Sequence, residues 1–145
     1  AVFSIICFSI SGTIYKKFFK NEVLLGAMIF LVSAISALIL FLFFDKGVVL
    51  TVVSMALITG CMHGINLMLI SHVPKRFKKY GNISTISGVI NSCTYIGSAI
   101  FTYGVALFSE NLGWQFTVGI WAIIALLGTA VCLIAYKPWE KFYNK

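Results

Sequence analysis

Four uncharged apolar runs, 23–44, 48–71, 83–108 and 114–136, constrain this chain more than any other feature: none contains Asp, Glu, Lys or Arg. Crossing a hydrocarbon core of about 30 Å takes roughly 20 residues of α-helix. With no water at that depth, each backbone N–H and C=O must find its partner inside the segment. Runs of about 22 to 26 residues meet that length. Membrane β-strands alternate polar and apolar residues over only about 10 positions, so a barrel is disfavoured. The expectation is an all-α fold, a polytopic transmembrane helix bundle occupying 1–145 as a single membrane region. A fifth run, 1–15, is apolar but too short to span. It begins without methionine and has neither a charged n-region nor a small-residue cleavage site, so it is expected to be the tail of a helix that starts upstream, not a signal peptide.

Composition supports the same reading. Apolar residues make up 60% of the chain and charged residues 10%, against roughly 25% charged in soluble domains. Too little polar surface remains to cover a soluble fold. Pro74 and Pro138 fall just beyond the second and fourth runs, where helix ends are expected because a residue without an N–H does little harm there.

The basic residues alternate strictly from one connection to the next. Three follow the first run (Lys16, Lys17, Lys20), one follows 23–44 (Lys46), four follow 48–71 (Lys75, Arg76, Lys78, Lys79), none lies between 108 and 114, and three sit in the tail (Lys137, Lys141, Lys145). Loops rich in Lys and Arg stay in the cytoplasm. The first and third connections and the C-terminus are therefore expected inside. The net charge of +7 has a membrane explanation, and binding to nucleic acid is not expected, because the basic clusters are short loops beside spans. Trp114, Tyr136 and Trp139 lie at span ends, where amphipathic rings sit at headgroup level.

Within 83–108, Ser84, Gly88, Asn91, Tyr95, Ser98 and Thr102 recur every three or four residues and form one small, polar stripe. Two readings are open: close packing between helices through small side chains, or a solute-lined cavity. Asn91 and Tyr95 favour the cavity, since an amide or phenol facing lipid is costly. In 48–71, Gly60, His63, Gly64 and Asn66 cluster, and His63 and Asn66 share a face. His63 is the one ionisable side chain, cysteines and tyrosines aside, deep inside any of the four runs. Such groups are functional candidates; the alternative is a neutral histidine hydrogen-bonded to a neighbouring helix. The runs 23–44 and 114–136 offer only Ser33, Ser36, Thr117 and Thr129 as interior polar groups besides glycines. They are expected to be peripheral and lipid-facing, giving the order outer, inner, inner, outer.

Enzymatic chemistry has no support. The acids Glu22, Asp45, Glu110 and Glu140 all lie in connections or the tail, so no paired carboxylates meet within the membrane. No metalloprotease helix, P-loop or nucleophile elbow occurs. Cys7, Cys61, Cys93 and Cys132 lack close paired spacing and read as small buried hydrophobes. Soft ligands are present in Cys61, Met62, His63, Met68 and His72, but these do not share one helical face. No cofactor and no metal are expected.

Between Gly60 and Val118 the sequence resembles the organophosphate:phosphate antiporter branch of the major facilitator superfamily. Gly64 followed by Asn66-Leu67-Met68-Leu69-Ile70 is similar to that branch's tenth-helix Gly-Pro-x-Met/Leu-Leu-Ile, with Ile65 at the proline. Pro74-Lys75-Arg76 resembles its Pro-Lys-Lys loop, although the stretch from Phe77 to Asn82 is longer and more basic. Gly88 with Tyr95-Ile96-Gly97 resembles the eleventh-helix Gly and Tyr-x-Gly, and Gly113-Trp114 the opening of the twelfth helix. Gly12 to Lys20 is similar to a degraded cytoplasmic loop motif, with Lys16 at its Asp and Phe19 at its second Gly.

The resemblance implies that the chain is the C-terminal part of such a fold, the end of helix eight plus helices nine to twelve, in a multi-pass plasma membrane protein with a missing N-terminal half as its partner. It implies transport of a small anionic solute, a sugar phosphate or other organophosphate, by alternating access, in exchange for inorganic phosphate. Tyr95 falls on a family tyrosine lining the cavity, and His63 takes the place of another. The candidate substrate-binding residues are accordingly His63, Asn66, Asn91 and Tyr95. The family's phosphate-binding arginines lie on helices one and seven, outside this chain. A non-transporting membrane sensor of the same fold is the alternative.

Overall fold

A computed structural model of the chain describes residues 9–10, 12–13, 21–44 and 47–143. Residues 9–10 and 12–13 are helical; the rest of the expected 1–15 helix, the basic residues 16–20 and Lys46 lie outside the described residues. The described residues contain helices and no strand.

The first long helix, α1 (Glu22–Leu42), starts at Asn21, whose Oδ1 accepts from the backbone N–H groups of Val23 at 3.0 Å and Leu24 at 3.4 Å. Those N–H groups have no partner inside the helix, so the amide side chain fixes its start. The second, α2 (Val48–Leu67), does not run unchanged to residue 71. Its backbone widens into a π-helical turn at Met68–His72 and then tightens into a 3₁₀ helix at Pro74–Tyr80. Pro74 opens the 3₁₀ segment, where its missing N–H costs nothing. Gly81, at φ 74°, closes it in the left-handed conformation that glycine adopts without strain.

The third helix, α3 (Ile83–Tyr143), has 61 residues, which straight would measure about 90 Å. That is about three bilayer cores, so an unbroken rod is excluded. The interruption is Gly113, at φ 83° and ψ 167°, a region that residues with a Cβ essentially do not enter. It lies in the gap between the third and fourth apolar runs and divides α3 into arms 83–112 and 114–143. The second arm continues through Pro138 to Tyr143, beyond the end expected at that proline. Trp139 holds the extension in place, because its indole N–H bonds back to Glu22 at 3.3 Å.

The second arm runs antiparallel to α1. Trp139 meets Glu22, Cys132 lies beside Gly26, Phe30 against Gly128, and Phe41 against Gly119, while Gln115 donates to the carbonyl of Phe41. Phenylalanine rings thus seat over glycines, where the absent Cβ lets the two backbones approach. The core beside this seam holds Ala37, Leu40, Ile58, Val118 and Ala122, with Phe41, Phe44, Met55 and Trp121 packed on it.

One expectation is reversed. Run 23–44 was to lie at the periphery, yet α1 packs against both α2 and α3 and is the most buried helix: 44% of its most apolar stretch is buried, against 22% in α3. The reason is side-chain size. Ser33, Ala34, Ser36 and Ala37 make α1 the helix that others approach closely, so scarcity of polar groups did not measure exposure to lipid.

Among the described residues, three helices are long and apolar enough to cross a membrane: α1, α2 with its continuation to Lys78, and α3. Their outer faces carry large exposed side chains such as Val48, Val49, Ile100, Leu127 and Ile134. Monomeric soluble proteins rarely leave apolar patches this extensive uncovered; a bilayer accounts for them.

Candidate functional site

A partly open cavity of about 550 Å³ lies between α2, the first arm of α3 and the α1 seam. Helical spacing builds its walls. Thr59, His63 and Asn66 stand four and three residues apart on α2, Thr94, Ser98 and Phe101 repeat that spacing on α3, and Phe30, Ser33 and Ala37 do so in reverse order on α1. Each trio therefore occupies one face of its helix.

The exposed residues at its mouth are mixed, Thr59, Asn66, Thr94 and Ser98 standing beside Met62, Leu69 and Phe101, with His63 half-buried. Its buried members are Ser33, Ala37, Ile58 and Ile65. At the mouth, Thr59 donates to the Met55 carbonyl at 2.8 Å and Thr94 to that of Ile90 at 2.9 Å. His63 Nδ1 lies 2.8 Å from the Thr59 carbonyl. A carbonyl only accepts, so Nδ1 carries a proton and donates this bond. Among the described residues, no Asp, Glu, Lys or Arg lines the cavity.

Of the four residues singled out by sequence, His63 and Asn66 share this cavity. Asn91 and Tyr95 do not line it. Asn91 is half-buried and Tyr95 is 70% exposed on the outward side of the first arm. Ser98 joins the two surfaces, since it belongs to the polar stripe and also to the cavity wall.

Sequence reasoning missed two features. Beside the cavity, Ser33 Oγ and Trp121 Nε1 are buried without a hydrogen-bond partner among the described residues. A tryptophan in mid-span was the available signal, because the others lie at span ends. At the end of the bundle that carries the 74–80 segment, Glu22 is only 3% exposed and forms an ion pair with Arg76, Nε to Oε1 at 2.5 Å. Trp139 donates to its other oxygen, and Phe77, Trp139 and Phe142 stack beside the pair with ring centroids 5.4 to 6.2 Å apart. The sole arginine and a single acid at a span start were visible in the sequence; their pairing across 54 positions was not.

No protein-family model, curated protein or solved structure matches the chain.

Proposed function

We propose that this chain is the C-terminal portion of a secondary transporter of the major facilitator type, in the plasma membrane with its C-terminus cytoplasmic, moving a small organic anion such as a sugar phosphate by alternating access. The observation that carries the reading is the cavity between α1, α2 and α3 whose mouth includes His63, Asn66, Thr94 and Ser98. Polar side chains gathered at mid-membrane between helices are the usual setting of a transported solute. The exposed polar stripe of the first arm, with Asn91 and Tyr95, continues from that mouth and suits a surface that faces the partner half of a transporter. Because no cation lines the cavity among the described residues, the countercharge for a phosphoester belongs to that other half, as the family resemblance implies.

The test is uptake of labelled sugar phosphate into vesicles holding the full-length protein loaded with inorganic phosphate. The expected result is exchange that His63→Ala weakens by roughly ten- to a hundredfold, the value of a hydrogen bond to a charged ligand. Binding without uptake would replace the transporter with a membrane sensor of the same architecture, and unchanged kinetics in His63→Ala would remove that residue from the path.

A further inference from the structure

At the end of the bundle that carries the 74–80 segment, an open groove of about 570 Å³ lies between that segment and the second arm of α3. Val131, Ile134, Ala135, Pro138 and Phe142 recur every three or four residues and form its long wall. Phe77 stands across from them, its ring stacked on Phe142 and Trp139. Trp139 gives its indole N–H to Glu22, so the lining side chains offer the groove only hydrocarbon and aromatic surface. From Val131 to Phe142 the wall rises about 17 Å, and Ile134 in its middle is 75% exposed.

Lysines flank this groove on both sides. Lys137 and Lys141 stand three and seven residues after Ile134, which puts them on the edge of the groove-lining face. Side chains three apart in a 3₁₀ helix eclipse one another, so Lys75 and Lys78 share a side of the turn that carries Phe77. All four are exposed, and among the described residues none pairs with an acid. The acids at this end are turned elsewhere: Glu22 is held by Arg76 and Trp139, and Glu140 stands on the opposite side of the arm from Val131, Ala135, Pro138 and Phe142. A second groove along the same helix pair lacks this charge. About 410 Å³ between α1 and the start of the second arm is lined by residues such as Leu38, Phe41, Phe116 and Ile123, and the connection 109–113 beside it brings Glu110 and no basic residue.

We infer that the groove at the basic end seats one anionic diacyl phospholipid, a phosphodiester without a cationic headgroup. An acyl chain lies along the 131–142 face against Phe77, and the phosphate is met by the lysines at the rim. The groove by itself would take any acyl chain; the lysines select the sign of the headgroup. A lysine lays its stem along apolar surface and lifts its ammonium to headgroup level, the level that Tyr136 and Trp139 mark. Each basic group near an anionic membrane surface contributes about fivefold, and a zwitterionic lipid returns less because its own cation repels the lysines. A free phosphate ion would have no anchor in the groove and would gain only from exposed, screened charges. The site is separate from the cavity assigned to solute transport and does not depend on that assignment.

The probes are phosphatidylglycerol and phosphatidylcholine carrying the same diazirine-bearing acyl chain, each photolysed with the full-length protein in neutral detergent and mapped to residues by peptide mass spectrometry. At Ile134, Ala135 and Pro138 the phosphatidylglycerol label should exceed the phosphatidylcholine label by roughly five- to twenty-fivefold, the contribution of one to two lysines. Along 116–123, in the groove without lysines, the two should label alike. Lys75→Gln with Lys78→Gln, and Lys137→Gln with Lys141→Gln, should each lower the excess about fivefold, while phosphatidylcholine labelling, which reports an intact groove, stays the same. Should a variant lose phosphatidylcholine labelling, its groove has collapsed and the wild-type protein decides, its excess falling as salt is raised. Equal labelling of the wild-type groove by the two lipids would overturn the proposal. So would an equally large excess at Leu133, on the opposite side of the arm, the result if positive charge merely enriches the surrounding lipid. Loss of the excess to inorganic phosphate, with chloride at the same ionic strength leaving it intact, would reassign the lysines to a free anion. Failure of sugar phosphate uptake bears only on the transport reading, and failure of the lipid ratio only on this one.

Discussion

Glu22 is the residue whose environment departs furthest from what its chemistry favours. A carboxylate 3% exposed at the start of a membrane helix is tolerable because the Arg76 guanidinium and the Trp139 indole N–H both donate to it. Arg76→Gln removes the cation and leaves the carboxylate buried. Breaking such a pair from one side typically costs about 3–5 kcal/mol, so a marked drop in unfolding free energy is expected in denaturant titrations in detergent. Glu22→Gln leaves no uncompensated buried anion and should cost less, and the double variant should recover part of the Arg76→Gln loss. Equal losses in both single variants would show that the pair contributes shape and not charge compensation. The sequence displayed these residues only as loop charges, because sidedness counts depend on how many basic groups a loop has and carry no information on which ones meet.

At the scale of elements, Gly113 decides whether the last two apolar runs form a rod or a hairpin. Its φ of 83° and ψ of 167° lie outside the left-handed helical region where asparagine is tolerated. Gly113→Ala and Gly113→Asn should therefore destabilise alike, by about 1–3 kcal/mol, read as a lowered thermal midpoint in detergent. A clear rescue by asparagine would mean that the turn relaxes into ordinary left-handed geometry. Hydropathy found all the apolar runs because bilayer thickness imposes a minimum length, but it was weak at their ends. Apolarity stops at the membrane surface while helical hydrogen bonding need not, hence the continuation through Pro138 to Tyr143 and the change of helix type from Met68 to Tyr80. Helical spacing recovered His63 and Asn66 as neighbours. It could not tell that the cavity touches the stripe of the first arm only along its Ser98 edge, since the rotation of a helix about its own axis depends on its neighbours.

For the whole molecule, contacts group Glu22, the 74–80 segment and Trp139 at one end and Phe41 with Gln115 at the other. Among the described residues, the basic 74–80 segment and the last turns with Lys137 and Lys141 belong to the first end, so the rule that positive loops stay inside predicts it to be cytoplasmic. In a cysteine-free background, a cysteine at Val48 should react with a membrane-impermeant thiol reagent added to intact cells, and one at Lys75 only after permeabilisation. The opposite pattern would invert the orientation and with it the direction in which the cavity opens. The misjudged position of α1 also belongs to this scale, because which helix sits centrally is set by how closely partners approach, and small residues govern that approach whatever their polarity.

Phe30 belongs to two structures at once. Its ring covers Gly128, with atoms 2.8 to 3.0 Å from the point a Cβ would occupy, and the same ring forms part of the cavity wall. Bulk added at position 128 is therefore expected to push the ring toward the cavity, so that Gly128→Ala should change the space inside as well as the grip between α1 and its antiparallel neighbour.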